Sequence, residues 1–190
     1  MSSVSKQGGV TSYIIPIGDM SLEERRAVRD SADLNAADSL MQSTNRKDYS
    51  QIVVRSPQPL ADFAVAGAGQ SWLIPGPSVV GTEINLINAV LLTAVQAVTF
   101  YGIGLISVPV GISRLRFLKG AGDVRAVMST EELETRLEPS GYFAQQQVYA
   151  PQDTLTVPVL PKAVFANSTI VLMGRFAEPR GNLITAPLAL

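Results

Sequence analysis

The sequence predicts an all-β domain, a sandwich or a barrel, preceded by an arm that holds one helix. Three observations carry that prediction. From Gln51 onward, proline and glycine punctuate the chain every few residues, which leaves room for strands of five to eight residues but scarcely for helices. Within those intervals ISRLRFLKG (112–120) alternates, Ile112, Leu115, Phe117 and Leu118 against Ser113, Arg114, Arg116 and Lys119, with one slip. DTLTVPVL (153–160) alternates cleanly, with Leu155, Val157 and Val159 on one face, and STIVLMGRF (168–176) reads as a further strand.

Ahead of this body, residues 1–12 are rich in Ser, Gly and Gln and read as an arm that orders on contact. The first residues lack a continuous apolar stretch after Lys6, so no cleaved signal peptide is expected. Ser21 and Glu24 have the spacing of a capping box, in which each side chain satisfies the other's orphan amide, so a helix is expected over about 22–41. Its apolar positions, Val28, Ala32, Ala36, Leu40 and Met41, are mostly small. So thin a stripe suits a surface or arm helix, or one that lies on a neighbouring subunit. The organisation read from the chain is an arm over 1–50, a β-domain over 51–181 and a tail over 182–190.

The one helical insert expected inside the β-domain lies in MSTEELETRLEP (128–139), where Ser129 or Thr130 can cap a turn or two over Glu131–Arg136. Two segments, RLEPSGY (136–142) and RFAEPRGN (175–182), share Glu-Pro-Xaa-Gly, which is type I turn chemistry.

The run from Ile84 to Ser113 contains no charge and is long enough for a membrane span. It also contains Asn88, Thr93, Gln96, Thr99, Gly102, Gly104, Ser107 and Pro109, a poor composition for a helix in hydrocarbon. Strand propensity at Val95, Val98, Thr99, Phe100, Tyr101 and Ile103 favours strands, with a soluble helix over 89–101 as the alternative. Strands without polar alternation need cover on both faces, by the opposite sheet and by a neighbouring subunit or the chain's own arm.

Composition narrows the chemistry. The chain of 190 residues has neither cysteine nor histidine, which removes disulfides, thiolate metal sites, Cys nucleophiles and every His-based acid or base. GAGQS (67–71) and GAGD (120–123) lack the lysine or the third glycine of a phosphate-binding loop and read as turns. Glu131, Glu132 and Glu134 read as a solvated face of a short helix, and no spacing recommends any of the four lysines as a catalytic base. No catalytic, cofactor-binding or metal-binding residue is therefore nominated, and no enzyme is expected. Lys plus Arg total 15 against 16 Asp plus Glu, mixed along the chain, so direct nucleic-acid binding is not expected. Charged residues make up only 16% of the chain, below the roughly 25% of an ordinary soluble domain, so it hides more surface than a monomer core requires.

SRLRFLKG (113–120), EPSGYFAQQQVYAPQDTLTVPVLPK (138–162) and TIVLMGRFAEPRG (169–181) together resemble the short-strand and proline-turn text of single jelly-roll virion proteins of double-stranded DNA viruses, including phage coat and capsid-cement subunits. The resemblance covers roughly residues 72–181 and rests on strand rhythm and turn phrases rather than a diagnostic motif. It implies a single jelly-roll-like β-sandwich of two four-stranded sheets, arms that reach neighbours, and association into trimers or larger assemblies with copies of itself and other capsid proteins. The expected role is a structural protein located in the virion. Two readings stand beside it: a membrane-associated virion protein anchored through 88–108, and a β-sandwich binding module of a larger assembly. Candidate subunit-interface residues are Tyr13, Ile14 and Ile15 in the N-terminal apolar patch, Trp72, and Leu183, Ile184, Leu188 and Leu190 in the charge-free tail.

Overall fold

Residue 97 begins the strand around which the rest of the chain is arranged. The computed structural model describes residues 12–45, 48–106, 110–120 and 122–181. In it two antiparallel sheets pack face to face as a sandwich, and one long N-terminal helix lies over the outer side of the larger sheet.

The larger sheet runs β1 (Ile14–Pro16), β9 (Ser140–Tyr149), β6 (Ala97–Leu105), β11 (Asn167–Pro179), β4 (Ser71–Pro75) and β3 (Gly67–Ala68), and β2 (Ile52–Arg55) shares the β11 edge with β4. The smaller sheet runs β5 (Ile84–Leu91), β10 (Thr154–Pro161), β7 (Ile112–Lys119) and β8 (Asp123–Ser129). Between the sheets lies one apolar core in which Phe63, Trp72, Phe100, Phe117, Phe143 and Phe176 touch in a chain of tilted and edge-on rings, with centroids 5.3–6.3 Å apart. Tyr149 joins it with its hydroxyl donating to the Leu118 carbonyl at 3.2 Å, and burial pushes its phenol above the ordinary range.

The alternation predicted for 153–160 is met: Leu155, Val157 and Val159 all enter the core. The slip in 112–120 also has a cause. Leu160 pairs with Arg114 but Pro161 pairs with Ile112, so two residues of β7 oppose one of β10. This bulge restores Leu115 and Phe117 to the core side and leaves Leu118 half-buried on the outside.

The uncharged run is not a helix. Its described residues form the whole of β5, a turn at 92–96, the whole of β6, and the first two residues of β7. Among the described residues no helix is long and apolar enough to cross a membrane. The alternative of a helix over 89–101 fails at Ala89, whose φ of 50° belongs to a bulge: Asn88 and Ala89 are accommodated opposite Thr156, and the Ala89 N–H is taken by the Thr156 hydroxyl at 3.1 Å.

What covers the second face of the run is the chain's own arm. All nine residues of β6 are buried, Val98, Phe100, Ile103 and Leu105 by the smaller sheet, Ala97 and Tyr101 under helix α1 (Leu22–Thr44). The capping box starts α1 as predicted, the Ser21 N–H donating to Glu24 at 2.7 Å and the Glu24 N–H to Ser21 Oγ at 3.2 Å. Asn45, in the left-handed conformation, ends it a few residues later than the sequence suggests. Ala32, Ala36, Ala37 and Leu40 are the buried residues, and their small size lets the helix axis settle close to the sheet. Ala32 meets the Tyr101–Tyr142 ring pair, while Ala36, Ala37 and Leu40 meet Ile52, Ala97 and Ala177. Polar pairs fix the helix along its length: Asn35 donates to Gln146, and Gln146 donates onward to the Val28 carbonyl. Asp33 lies 2.8 Å from Arg175 Nε, an ion pair in which that N–H does not point at the carboxylate. Partial burial holds the Asp33 carboxyl above its ordinary range, against the pull of Arg175.

One sequence expectation is corrected. The Glu-Pro-Xaa-Gly segments are not type I turns: the Ser140 N–H reaches the Glu138 carbonyl in a three-residue turn, and Glu178 and Pro179 are the last residues of β11, paired with Val53 and Ile52. The β11 edge also carries an ion cluster, Arg55 bonding both Asp62 and Glu178 while its guanidinium lies 4.8 Å over Phe176. This ties β2 and the short helix α2 (Pro59–Phe63) to the sheet, and it delivers Phe63 to the core. The insert in 128–139 is a single helical turn, α3 (Glu131–Glu134), because Thr130 spends its hydroxyl on the Ile112 carbonyl, leaving Ser129 Oγ to accept the Glu131 N–H at 3.4 Å.

If α1 is held by the closeness that alanine allows, enlarging its inner face costs stability and enlarging its outer face does not. Ala36→Leu is expected to lower the unfolding free energy by about 1–3 kcal/mol, and Ala27→Leu, on the exposed side, to change it by less than about 0.5 kcal/mol; urea denaturation of both checks this.

Candidate assembly surface

Four loops meet at one end of the sandwich: β4–β5 (76–83), β6–β7 (of which 106 and 110–111 are described), β8–β9 (130–139) and β10–β11 (162–166). Backbone and side-chain bonds join them into one surface. The Ser78 hydroxyl donates to the Ala163 carbonyl and accepts the Phe165 N–H, and the Ser78 N–H donates to the Phe165 carbonyl. The Lys162 N–H donates to Gly111, the Leu105 N–H donates to Pro139, and the Lys162 ammonium sits 2.6 Å from Glu134. These bonds tie the loops to one another, and five large apolar side chains on them face out.

Val79, Val80, Ile106, Leu137 and Val164 are all exposed at this end, Leu137 completely. The other six large exposed apolar residues among those described, Tyr13, Leu22, Leu34, Tyr49, Leu60 and Leu91, lie apart from them on other elements. Isolated exposed apolar residues are ordinary on a protein surface; five at one end make that end the candidate contact surface. Leu137 stands beside a groove of about 450 Å³ lined by Pro16, Gly18, Asp19 and Thr135–Glu138. Arg136 bridges it, 3.3 Å from Asp19 and 2.8 Å from Glu132, and the hydrogen bond to Glu132, with Asp19 beside it, holds the guanidinium charged. Sequence reasoning missed these five residues. They lie in short segments broken by glycine, proline or charged residues, too short for periodicity to give a signal.

The residues nominated from sequence divide. Tyr13 is exposed, while Ile14 is buried against the core and Ile15 is half-buried. The three belong to a strap that closes one side of the sandwich. Ile14 and Ile15 pair with Phe143 and Tyr142 of β9, the Tyr13 carbonyl accepts the Ala144 N–H, and the Ser12 N–H crosses to the Val127 carbonyl of β8 in the other sheet. Trp72 is a correction: it has no exposed surface and packs on Phe63 and Phe100 in the core, so its ring is spent on folding. Leu183, Ile184, Leu188 and Leu190 lie outside the described residues.

The segments weighed for chemistry have structural places. GAGQS forms the β3–β4 hairpin, and Gly120 and Gly122 lie between β7 and β8. Glu132 and Glu134 are engaged by Arg136 and Lys162. Among the described residues no three His, Cys, Asp or Glu side chains are grouped to hold a metal ion.

Comparison of the sequence with protein-family models finds no match, and comparison with curated proteins finds none either.

The strap depends on a missing side chain. A Cβ at Gly141 would stand 2.4 Å from Ile14 Cγ2 and 2.8 Å from the Ile15 carbonyl oxygen. Gly141→Ala is therefore expected to push β1 off β9, seen as faster amide exchange at Ser12 and Ala144 while the amides of β6 and β11 stay protected; unchanged exchange at Ser12 would show that the strap is held by something else.

Proposed function

We propose that the chain is a structural virion protein whose sandwich is a jelly roll and which assembles through subunit contacts into or onto a capsid. The strand order supports the fold half of this reading. Without the three short strands β1, β2 and β3, the remaining eight lie as β4-β11-β6-β9 against β5-β10-β7-β8. Successive strands thus cross from one sheet to the other, except at the β7–β8 hairpin, which is the winding of two interleaved Greek keys. Jelly rolls serve many roles, so the function rests on the surface and not on the fold.

The observation that carries the function is the end bearing Val79, Val80, Ile106, Leu137 and Val164. Leaving five large apolar side chains in water gains nothing for a monomer; burial between subunits recovers roughly 1.5–3 kcal/mol for each fully covered side chain. The surplus fits a chain with only 16% charged residues and a net charge of −1, which has little self-repulsion to oppose association. The partners in this reading are other copies of the chain, as a trimer or larger, and other capsid proteins. Nucleic acid is not among them, since the charges of the arm cancel.

Light scattering on size-separated protein, with negative-stain imaging of the same fractions, is the test. Discrete oligomers or shells whose share grows with concentration are expected, and Leu137→Asp with Val164→Asp should abolish them while leaving the circular dichroism unchanged. A monomer at every concentration, which also fails to bind capsids of its source, would contradict the reading.

A further inference from the structure

We infer that the apolar loop end of one copy is covered by the segment 183–190 of another copy, so that subunits join head to tail. This rests on the assembly reading above and names the occupant of the same surface. Residues 182–190, NLITAPLAL, contain no charge and offer Leu183, Ile184, Leu188 and Leu190, with Pro187 disfavouring a helix among them. No other stretch outside the described residues has that character: residues 1–11 offer only Met1, Val4 and Val10 among Ser, Gly, Gln, Lys and Thr.

Geometry decides between the chain's own loop end and a neighbour's. Strand β11 starts beside the β4–β5 loop, where Asn167 Oδ1 accepts the Gly76 N–H, and runs 13 residues to Pro179 at the opposite end, where it pairs with Ile52. That strand is about 40 Å long at roughly 3.3 Å per residue. The segment 182–190 leaves from its far end and spans at most about 30 Å when fully extended. Leu183 and Ile184, two and three residues past Gly181, stay within about 11 Å of it and cannot touch Val79, Leu137 or Val164 on the same copy, so at most the last residues of the tail come near them. The four apolar residues of the tail can cover the loop end together only on another copy.

A contact of this kind uses two different surfaces, so it is heterologous: repeated, it closes into a ring or continues as an open array, and it can be split into a donor and an acceptor. That division supplies the test. One variant ends after Gly181 and keeps only the acceptor end; a second keeps the segment and carries Val164→Asp with Leu137→Asp, leaving only the donor. Circular dichroism and thermal melting establish that both fold, and light scattering reads mass. The expectation is that the full chain forms oligomers, each variant alone is monomeric, and the two mixed give a one-to-one pair that grows no further. A truncated chain that assembles as the full chain does, or a mixture that stays monomeric, overturns the inference while leaving assembly itself standing. A full chain that stays monomeric removes the assembly reading and this inference together.

Discussion

The sandwich is organised around a strand that no polar face can serve. Every residue of β6 is buried, and a strand covered on both sides needs apolar or uncharged neighbours above and below it. The smaller sheet supplies one cover through Phe117, Ile112 and Leu115, and α1 supplies the other through Ala32, Ala36, Ala37 and Leu40. The helix is therefore part of the fold rather than an ornament on it. Gly102 shows how tight the arrangement is: a Cβ there would stand 2.7 Å from the Gly141 carbonyl oxygen and 2.9 Å from the Tyr142 ring. The glycine spacing in Gly-Ile-Gly, which argues against a helix in the sequence, serves close approach of strand to strand.

From that constraint the distribution of surface follows. The outer side of the larger sheet is closed by α1, and the open side between β8 and β9 is crossed by residues 12–16. On the smaller sheet, Arg114 and Arg116 share Glu83 on the outside, a polar face that water can cover. What remains apolar and uncovered is the end where four loops meet. Hydrogen bonds from Ser78 to Ala163 and Phe165 and from Lys162 to Gly111 tie three of its loops together, and a surface already held in shape has a lower ordering cost on association.

Much of the fold was legible in the sequence because strand alternation and capping are local. Ser21 and Glu24 announce the start of α1, and Leu155, Val157 and Val159 announce the face of β10. Less legible was anything set by tertiary approach. The bulges at Ser113 and Ala89 shift the alternation by one residue for reasons that lie in the partner strand. Glu138-Pro139 and Glu178-Pro179 share their turn chemistry and differ in structure because β2 captures the second pair as strand, while the first closes a tight turn whose Pro139 carbonyl takes the Leu105 N–H. Trp72 was ambiguous for the same reason, since a tryptophan beside Leu73 and Ile74 suits a core or an interface and only the position of Phe63 and Phe100 decides. The proposed assembly surface was the least legible feature, since Val79, Val80, Ile106, Leu137 and Val164 are scattered over 86 positions of the sequence and brought to one end only by the winding of the strands.

The central claim is that α1 covers its own sheet and that association uses the loop end instead. Hydrogen–deuterium exchange on the dissociated and the assembled chain reads both halves at once. The account predicts new protection on assembly at amides 78–83, 135–139 and 162–166, with α1 and β6 equally protected in the two states. Protection gained at α1 and β6, with the loops unchanged, would mean that the helix leaves its sheet to a neighbour and would contradict it.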